Sequence, residues 1–312
     1  MNCAKCMTSK PESGLFCDRC RAILEAETEY WLRIDDFQCP ADKEALEILK
    51  STGVLAYVVN QFLVKPYEQK QREYLSKYGL PSSHLGYFES IVEECAYTLC
   101  LRTLPEVYLA NFGSAPNAFT FGNDAAPVVV VDGRLVQMLT CDELRSLLGH
   151  EMGHIKSKHL LYHSLANTLA QGVGLSTSFL GSNLISAAMK LALLAWHRES
   201  EFTADRAALI SSQDPKHVAS MFAKILGRRH TSISGDESLL QELAEIFQSH
   251  PNHLGRIKAV IDFSKSQDYH AILKKSSHRR MFRVAFTANC RFCGASKPTV
   301  SSFCPECGKS QV

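Results

Sequence analysis

The chain has 312 residues, 46% of them hydrophobic, and a net charge of +2. That length suits one large domain, or two ordinary ones with small modules, and the apolar content excludes wholesale disorder. The charge favours neither a nucleic-acid partner nor an acidic one.

The opening segment "MNCAKCMTSKPESGLFC" lacks the apolar run of a secretory signal, so the expectation is a cytoplasmic, reducing setting. Cys3, Cys6, Cys17 and Cys20 read C-x2-C-x10-C-x2-C, and Cys290, Cys293, Cys304 and Cys307 repeat that spacing. Lys10-Pro11 and Lys297-Pro298 sit at equal offsets, and Phe16 and Phe303 each precede the third cysteine, so one small module is duplicated at both ends. Two C-x2-C pairs complete a tetrahedral thiolate site with no open position, which predicts a structural zinc ribbon at each end. Modules this short have too little core to fold without metal. Cys39, Cys95, Cys100 and Cys141 show no ligand spacing and read as buried small hydrophobes.

Between the ribbons, residues 42–64 and 73–80 read as short helices separated by turns, and residues 87–101 as a helix ended before Pro105. "EVYLA" (106–110) and "PVVVVDG" (127–133) read as strands, the second buried on both faces. The middle of "SAPNAFTFGND" offers a third strand, with Gly122-Asn123-Asp124 turning back. Thr140 and Glu143 form a capping box that starts one long helix through "LLGHEMGHIKSKH" and beyond. Residues 165–196 are apolar but interrupted by Gln171, Asn183, Lys190 and several serines, so they read as buried or amphipathic helices. The expected fold is α+β and mostly helical, with one small sheet before the central helix.

On that helix His150 and His154 are one turn apart, and Glu151 adjoins the first. This is H-E-x-x-H: two metal ligands and a general base on one turn. The three-histidine extension is absent, because Ser157 and Leu160 occupy its glycine and histidine positions. His159 and His163 are expected at the surface, or behind the ligands, on the continuing helix. In "RESEFTADRAAL" Glu201 and Asp205 are four apart and share a face. Glu201 offers a third ligand, and Asp205 a carboxylate to accept from a liganding imidazole.

At these residues the chain resembles the HtpX and CAAX prenyl protease type of zinc metallopeptidases, within the gluzincins. The resemblance spans about residues 39–263 and rests on "HEMGH", "EFTAD", "PNAFTFG" (116–122) and "SHPNHLGRI" (249–257). It implies a catalytic zinc on His150, His154 and Glu201, with Glu151 as base. It also implies that Asn117, Ala118, Phe119 and Thr120 form a strand along the cleft against which substrate pairs, and that His250 and Arg256 lie beside the site. An edge strand binds peptide backbone whatever its sequence. An oxyanion needs a further donor, for which His250 is the candidate and His253 a competitor, while Arg256 pairs either Asp205 or the substrate. The chain departs from the family in its ribbons, in Asn252 where a second proline often stands, and in lacking a convincing transmembrane helix.

The expected organisation is a ribbon at 1–22, a helical part at 23–85, a catalytic domain at 86–265, a basic linker at 266–287 and a second ribbon at 288–312. The expected activity is a zinc-dependent endopeptidase acting on protein or peptide substrates, with one catalytic and two structural zinc ions and protein quality control as one role. The ribbons would recruit substrate or a protein partner, or cover the cleft. "KKSSHRRMFR" (274–283) reads as a solvated linker, with peripheral contact to an anionic membrane surface as the alternative. The rival reading is a non-catalytic zinc-ribbon scaffold on a vestigial peptidase fold.

Overall fold

The structure is a computed structural model and describes residues 3, 5–8, 15–24, 31–51, 65–113, 116–170, 187–227, 251–276, 287–294, 296–298, 304 and 309. The fold is α+β and mostly helical. Helices α1 (Pro40–Ser51) and α2 (Lys65–Tyr78) come first, then strand β1 (Leu80–Pro81) and helix α3 (Gly86–Thr98), and β2 (Glu106–Ala110), β3 (Ala118–Asn123) and β4 (Ala126–Asp132) complete a sheet with β1. The strand order is β1-β2-β4-β3, with β2 and β4 parallel and the outer pairs antiparallel.

Strand β4 is central, and its valines divide by the strand's period of two. Val129 and Val131 join the main core with Val107 and Leu109, whereas Val128 and Val130 pack with Phe121 and Leu75 of α2 on the other face. Both faces are covered, which explains the unbroken apolar run. The β3–β4 turn is closed by Asn123, whose Oδ1 accepts from the backbone N–H of Ala125 and Ala126. Gly122 has φ +105°, and a Cβ there would lie 2.5 Å from the Ala126 carbonyl oxygen, so the turn needs glycine. This leaves β3 as an edge strand beside the central helix.

That helix is shorter than its apolar pattern suggested. After α4 (Gly133–Met138), α5 (Cys141–Lys156) opens on the expected capping box: Glu143 N–H donates to Thr140 Oγ1 at 3.2 Å, and Thr140 N–H to Glu143 Oε2 at 2.7 Å. It stops at Ser157, and α6 (Leu160–Ala170) begins separately. The stop is a Schellman motif: His159 N–H donates to the His154 carbonyl and Lys158 N–H to that of Ile155. Lys158 takes the left-handed conformation, φ +60°, where glycine is usual, and this hides the stop from sequence reading.

Helix α7 (Ala187–Ser212) lies against α5 at close range. Gly149 and Gly153 make that approach, since a Cβ on either would meet Ser211 or Ala207 at 2.5–2.7 Å. Helices α8 (Pro215–Ile225), α9 (Pro251–Ser264) and α10 (Gln267–Ser276) complete the described helical part. Glu143 also accepts from Ser220 and pairs with buried Lys224 at 2.9 Å, so the cap of α5 is locked to α8.

The N-terminal cysteine module is docked on this core. Phe16 is 3% exposed and belongs to the main core cluster. Arg21 donates to the carbonyls of Leu104 and Pro105, and Ala22 bridges to Thr103, just before β2. The C-terminal module carries an antiparallel hairpin of β5 (Thr287–Asn289) and β6 (Ser296–Pro298). Among the described residues no helix is long and apolar enough to cross a membrane, and residues 171–186 of the apolar stretch lie outside them.

Candidate metal centre

Helix α5 delivers His150 and His154 to one side, and α7 delivers Glu201 opposite. His150 Nε2 is 3.5 Å from Glu201 Oε2, and His154 Nε2 is 3.5 Å from Glu201 Oε1. Two ligand atoms about 2.0–2.1 Å from a shared tetrahedral ion lie roughly 3.3 Å apart. The three side chains therefore fit one zinc with little rearrangement.

Asp205 supports this set from one turn further along α7. Its Oδ1 is 3.0 Å from His150 Nδ1, leaving His150 Nε2 facing Glu201. Arg256, on α9, joins the two carboxylates: Nε and Nη2 donate to Asp205 at 2.7 Å each, and Nη1 reaches Glu201 Oε2 at 2.9 Å. The guanidinium lies 4.7 Å over the Phe222 ring. Of the two roles expected for Arg256, its contacts are with Asp205 and Glu201, at the wall of the cleft.

The electrostatics follow from these contacts. Burial works against charge on Glu201, but Arg256 and His150 outweigh it and hold the carboxyl well below its usual range. Burial likewise opposes an imidazolium at His150, yet Asp205 and Glu201 raise its pKa to about 10 without metal. Burial, with His163 nearby, pushes His154 well below the ordinary imidazole value, which suits a neutral ligand. Burial raises the Glu151 carboxyl above the usual carboxylate range, moving it toward the pKa of a base that works near neutral pH.

The cleft beside these groups has a volume of about 270 Å³. Asn117, just before the edge strand, and Ala118 and Phe119 on it line the cleft, and Met221, Phe222 and Ile225 of α8 add an apolar surface. Thr120 Oγ1 donates to Glu151 Oε2 at 2.5 Å and so fixes that carboxylate beneath the edge strand. Thr120 was expected only as part of the strand. His253 lines the same cleft, while His250 lies outside the described residues.

Other side chains surround these groups. His159 and His163 are buried, contrary to the surface alternative, because the break after α5 folds them back. His159 Nδ1 lies 3.1 Å from His154 Nδ1, and His163 Nε2 lies 2.8 Å from Ser200 Oγ. His197 also lines the cleft. Asp42 is fully buried on α1, a helix to which the sequence reading assigns no part in the site.

At the N-terminal module the sulfurs of Cys3, Cys6, Cys17 and Cys20 all lie within 4.8 Å of one another. Cys3–Cys20 and Cys6–Cys17 are each 3.6 Å apart, against about 3.8 Å for thiolates at 2.3 Å from a tetrahedral zinc. Hydrogen bonding with the side chain and backbone of Thr8 draws the Cys6 thiol down to about 6, favouring the thiolate a metal requires. Cys290, Cys293 and Cys304 cluster likewise, and Cys307 lies outside the described residues. All described cysteines are free thiols.

Residues 82–263 match peptidase family M48. The chain is 29% identical over 273 residues to the chloroplastic plastoglobule-localized metallopeptidase 48 of Arabidopsis thaliana, covering 80% of this chain and 78% of that protein. It is 29% identical over 207 residues to a protease HtpX homolog of a Sulfurihydrogenibium species, covering 56% of this chain and 69% of that one. With an HtpX homolog of Methylibium petroleiphilum the identity is 31% over 165 residues, 46% of this chain and 58% of that one. No solved structure matches the chain significantly.

Proposed function

The chain belongs to peptidase family M48 and is a metallopeptidase, and from that premise we propose that it is a zinc-dependent endopeptidase acting on protein segments in extended conformation. The observation that carries this reading is the meeting of His150, His154 and Glu201 at 3.5 Å, with Glu151 alongside and an edge strand bordering the cleft. His150, His154 and Glu201 would hold the zinc, which when bound supplies a Lewis acid and an acidified water. Glu151, held by Thr120, takes the proton of the attacking water and returns it to the leaving amine. Asp205 orients His150, and Arg256 keeps Glu201 and Asp205 ionised. His250, just before α9, is assigned as donor to the oxyanion because the resemblance puts it beside the site and the oxyanion needs a further donor. Substrate backbone would pair along Asn117, Ala118 and Phe119, a mode of binding that does not depend on the substrate's side chains.

The two cysteine sets are proposed as structural zinc sites that serve as ribbons for a protein partner. The described cysteines of both sets are free thiols, which fits a reducing, cytoplasmic setting. Protein quality control is the proposed role. Zinc counting on purified protein tests the assignment. Three ions per chain, falling to two in His150→Ala, support it. Two ions in both proteins would favour a ribbon scaffold without catalysis.

A further inference from the structure

His154 has two ring nitrogens, and the structure accounts for both. Its Nε2 faces Glu201 at 3.5 Å, and its Nδ1 points inward to His159 Nδ1 at 3.1 Å. Two imidazole nitrogens that face each other must share one proton. A neutral His154 that offers Nε2 to a metal carries its proton on Nδ1, so His154 donates and His159 accepts. The His159 proton then sits on Nε2, which lies 3.1 Å from Asp42 Oδ2, an acceptor. Each link fixes the direction of the next, and both Asp42 and His159 are completely buried.

We propose that Asp42 and His159 form a carboxylate–imidazole relay that positions His154 for the metal, which makes α1 part of the metal centre although it lies outside the family-matched residues 82–263. The inference rests on the zinc reading of His150, His154 and Glu201. It gives the two ligand imidazoles matching supports: His150 reaches a carboxylate directly at Asp205, and His154 reaches one through a second imidazole. Such supports fix the tautomer and ring plane of a ligand.

Asp42 is itself held without freedom to turn. Oδ1 accepts from Trp196 Nε1 at 2.9 Å, and Oδ2 also accepts from Thr203 Oγ1 at 2.7 Å and Gln38 Nε2 at 3.1 Å. Trp196 and Thr203 belong to α7, the helix that carries Glu201, so one carboxylate ties α1 to both sides of the site. His159 is near enough to His154 and His163 to suggest a ligand cluster, but both its nitrogens are already committed. It is a positioning residue.

The test uses the full chain and measures zinc retained above the two ribbon ions during dialysis against graded dipicolinate, together with kcat and KM on an unfolded casein. His159→Phe keeps a planar aromatic ring, slightly larger than imidazole, and removes the acceptor. Zinc affinity should fall about ten- to hundredfold, and kcat should fall with KM within about twofold. His159→Gln restores an amide oxygen that accepts from His154, and should recover affinity to within about threefold of wild type. Asp42→Asn should weaken zinc binding in the wild-type background and leave it unchanged in the His159→Gln background, where the relay is already bypassed. Thr203→Val, which removes one Asp42 contact and leaves the relay intact, should have a smaller effect than Asp42→Asn. The relay is overturned if His159→Phe holds zinc as tightly as wild type, or if Asp42→Asn costs the same in both backgrounds. A wild-type chain that holds only ribbon zinc would remove the zinc reading and the relay together.

Discussion

Replacing Gly153 by alanine separates helix stability from site geometry. In an isolated helix the change is favourable by about 1 kcal/mol. Here the new Cβ would sit 2.7 Å from Ala207 Cβ and 3.1 Å from Ala204 Cα. Ordinary contact begins at 3.4 Å, and Ala204 Cα is backbone, so α5 and α7 must part by about 0.7 Å or more. Overpacking of this kind costs about 1–3 kcal/mol, which leaves a net loss of roughly 0–2 kcal/mol after the helix gain. Activity should suffer far more. His150 and His154 are on one of these helices and Glu201 on the other, already 3.5 Å apart. A displacement approaching 1 Å at a catalytic site costs on the order of a hundredfold in rate. Thermal unfolding and kcat/KM on an unfolded substrate measure the two effects separately. A Gly153→Ala protein with kcat/KM within about twofold of wild type would refute the claim that this close approach sets the metal geometry. Gly255→Ala is the control: it is helical, and its Cβ meets nothing within 4 Å. It should stabilise by about 0.4–1 kcal/mol with activity unchanged.

Arg256→Gln removes the cation that Asp205 and Glu201 share. Stability of zinc-free protein should drop by about 3–5 kcal/mol, and by less when zinc supplies positive charge. Equal drops with and without zinc, in thermal melts, would contradict that account. Phe16→Ala should lower the stability of the peptidase core by about 3–5 kcal/mol in urea unfolding followed by tryptophan fluorescence, because Phe16 is buried in the main cluster. An unchanged core transition would mean that the N-terminal module folds apart from it.

Much of the site was legible because its chemistry needs fixed spacings. His150, Glu151 and His154 announce themselves within one turn, and Glu201 and Asp205 within another. The capping box and the apolar β4 also follow from local rules, whereas the place of β3 along the cleft is implied by the family resemblance. What stayed hidden depends on contacts between distant segments. Asp42 is one acidic residue on a charged helix, and only the packing of α1 on α7 gives it three partners there and in the loop after α5. Thr120 reads as a β-branched strand residue until the strand is set against α5. The helix break at Lys158 lacks the glycine that usually marks it, so His159 looked like the continuation of a helix instead of the turn beneath His154. The docking of the N-terminal module was equally invisible, since Arg21 finds its partners some 80 residues away and Phe16 joins the main core cluster.

The central claim is that Glu151 acts as base beside a metal held by His150, His154 and Glu201. Its most direct test is the cleavage rate of Glu151→Gln protein carrying the same zinc content as wild type. The account predicts a loss of about 10²–10⁴-fold with three zinc ions retained. Cleavage at the wild-type rate by that protein would contradict it.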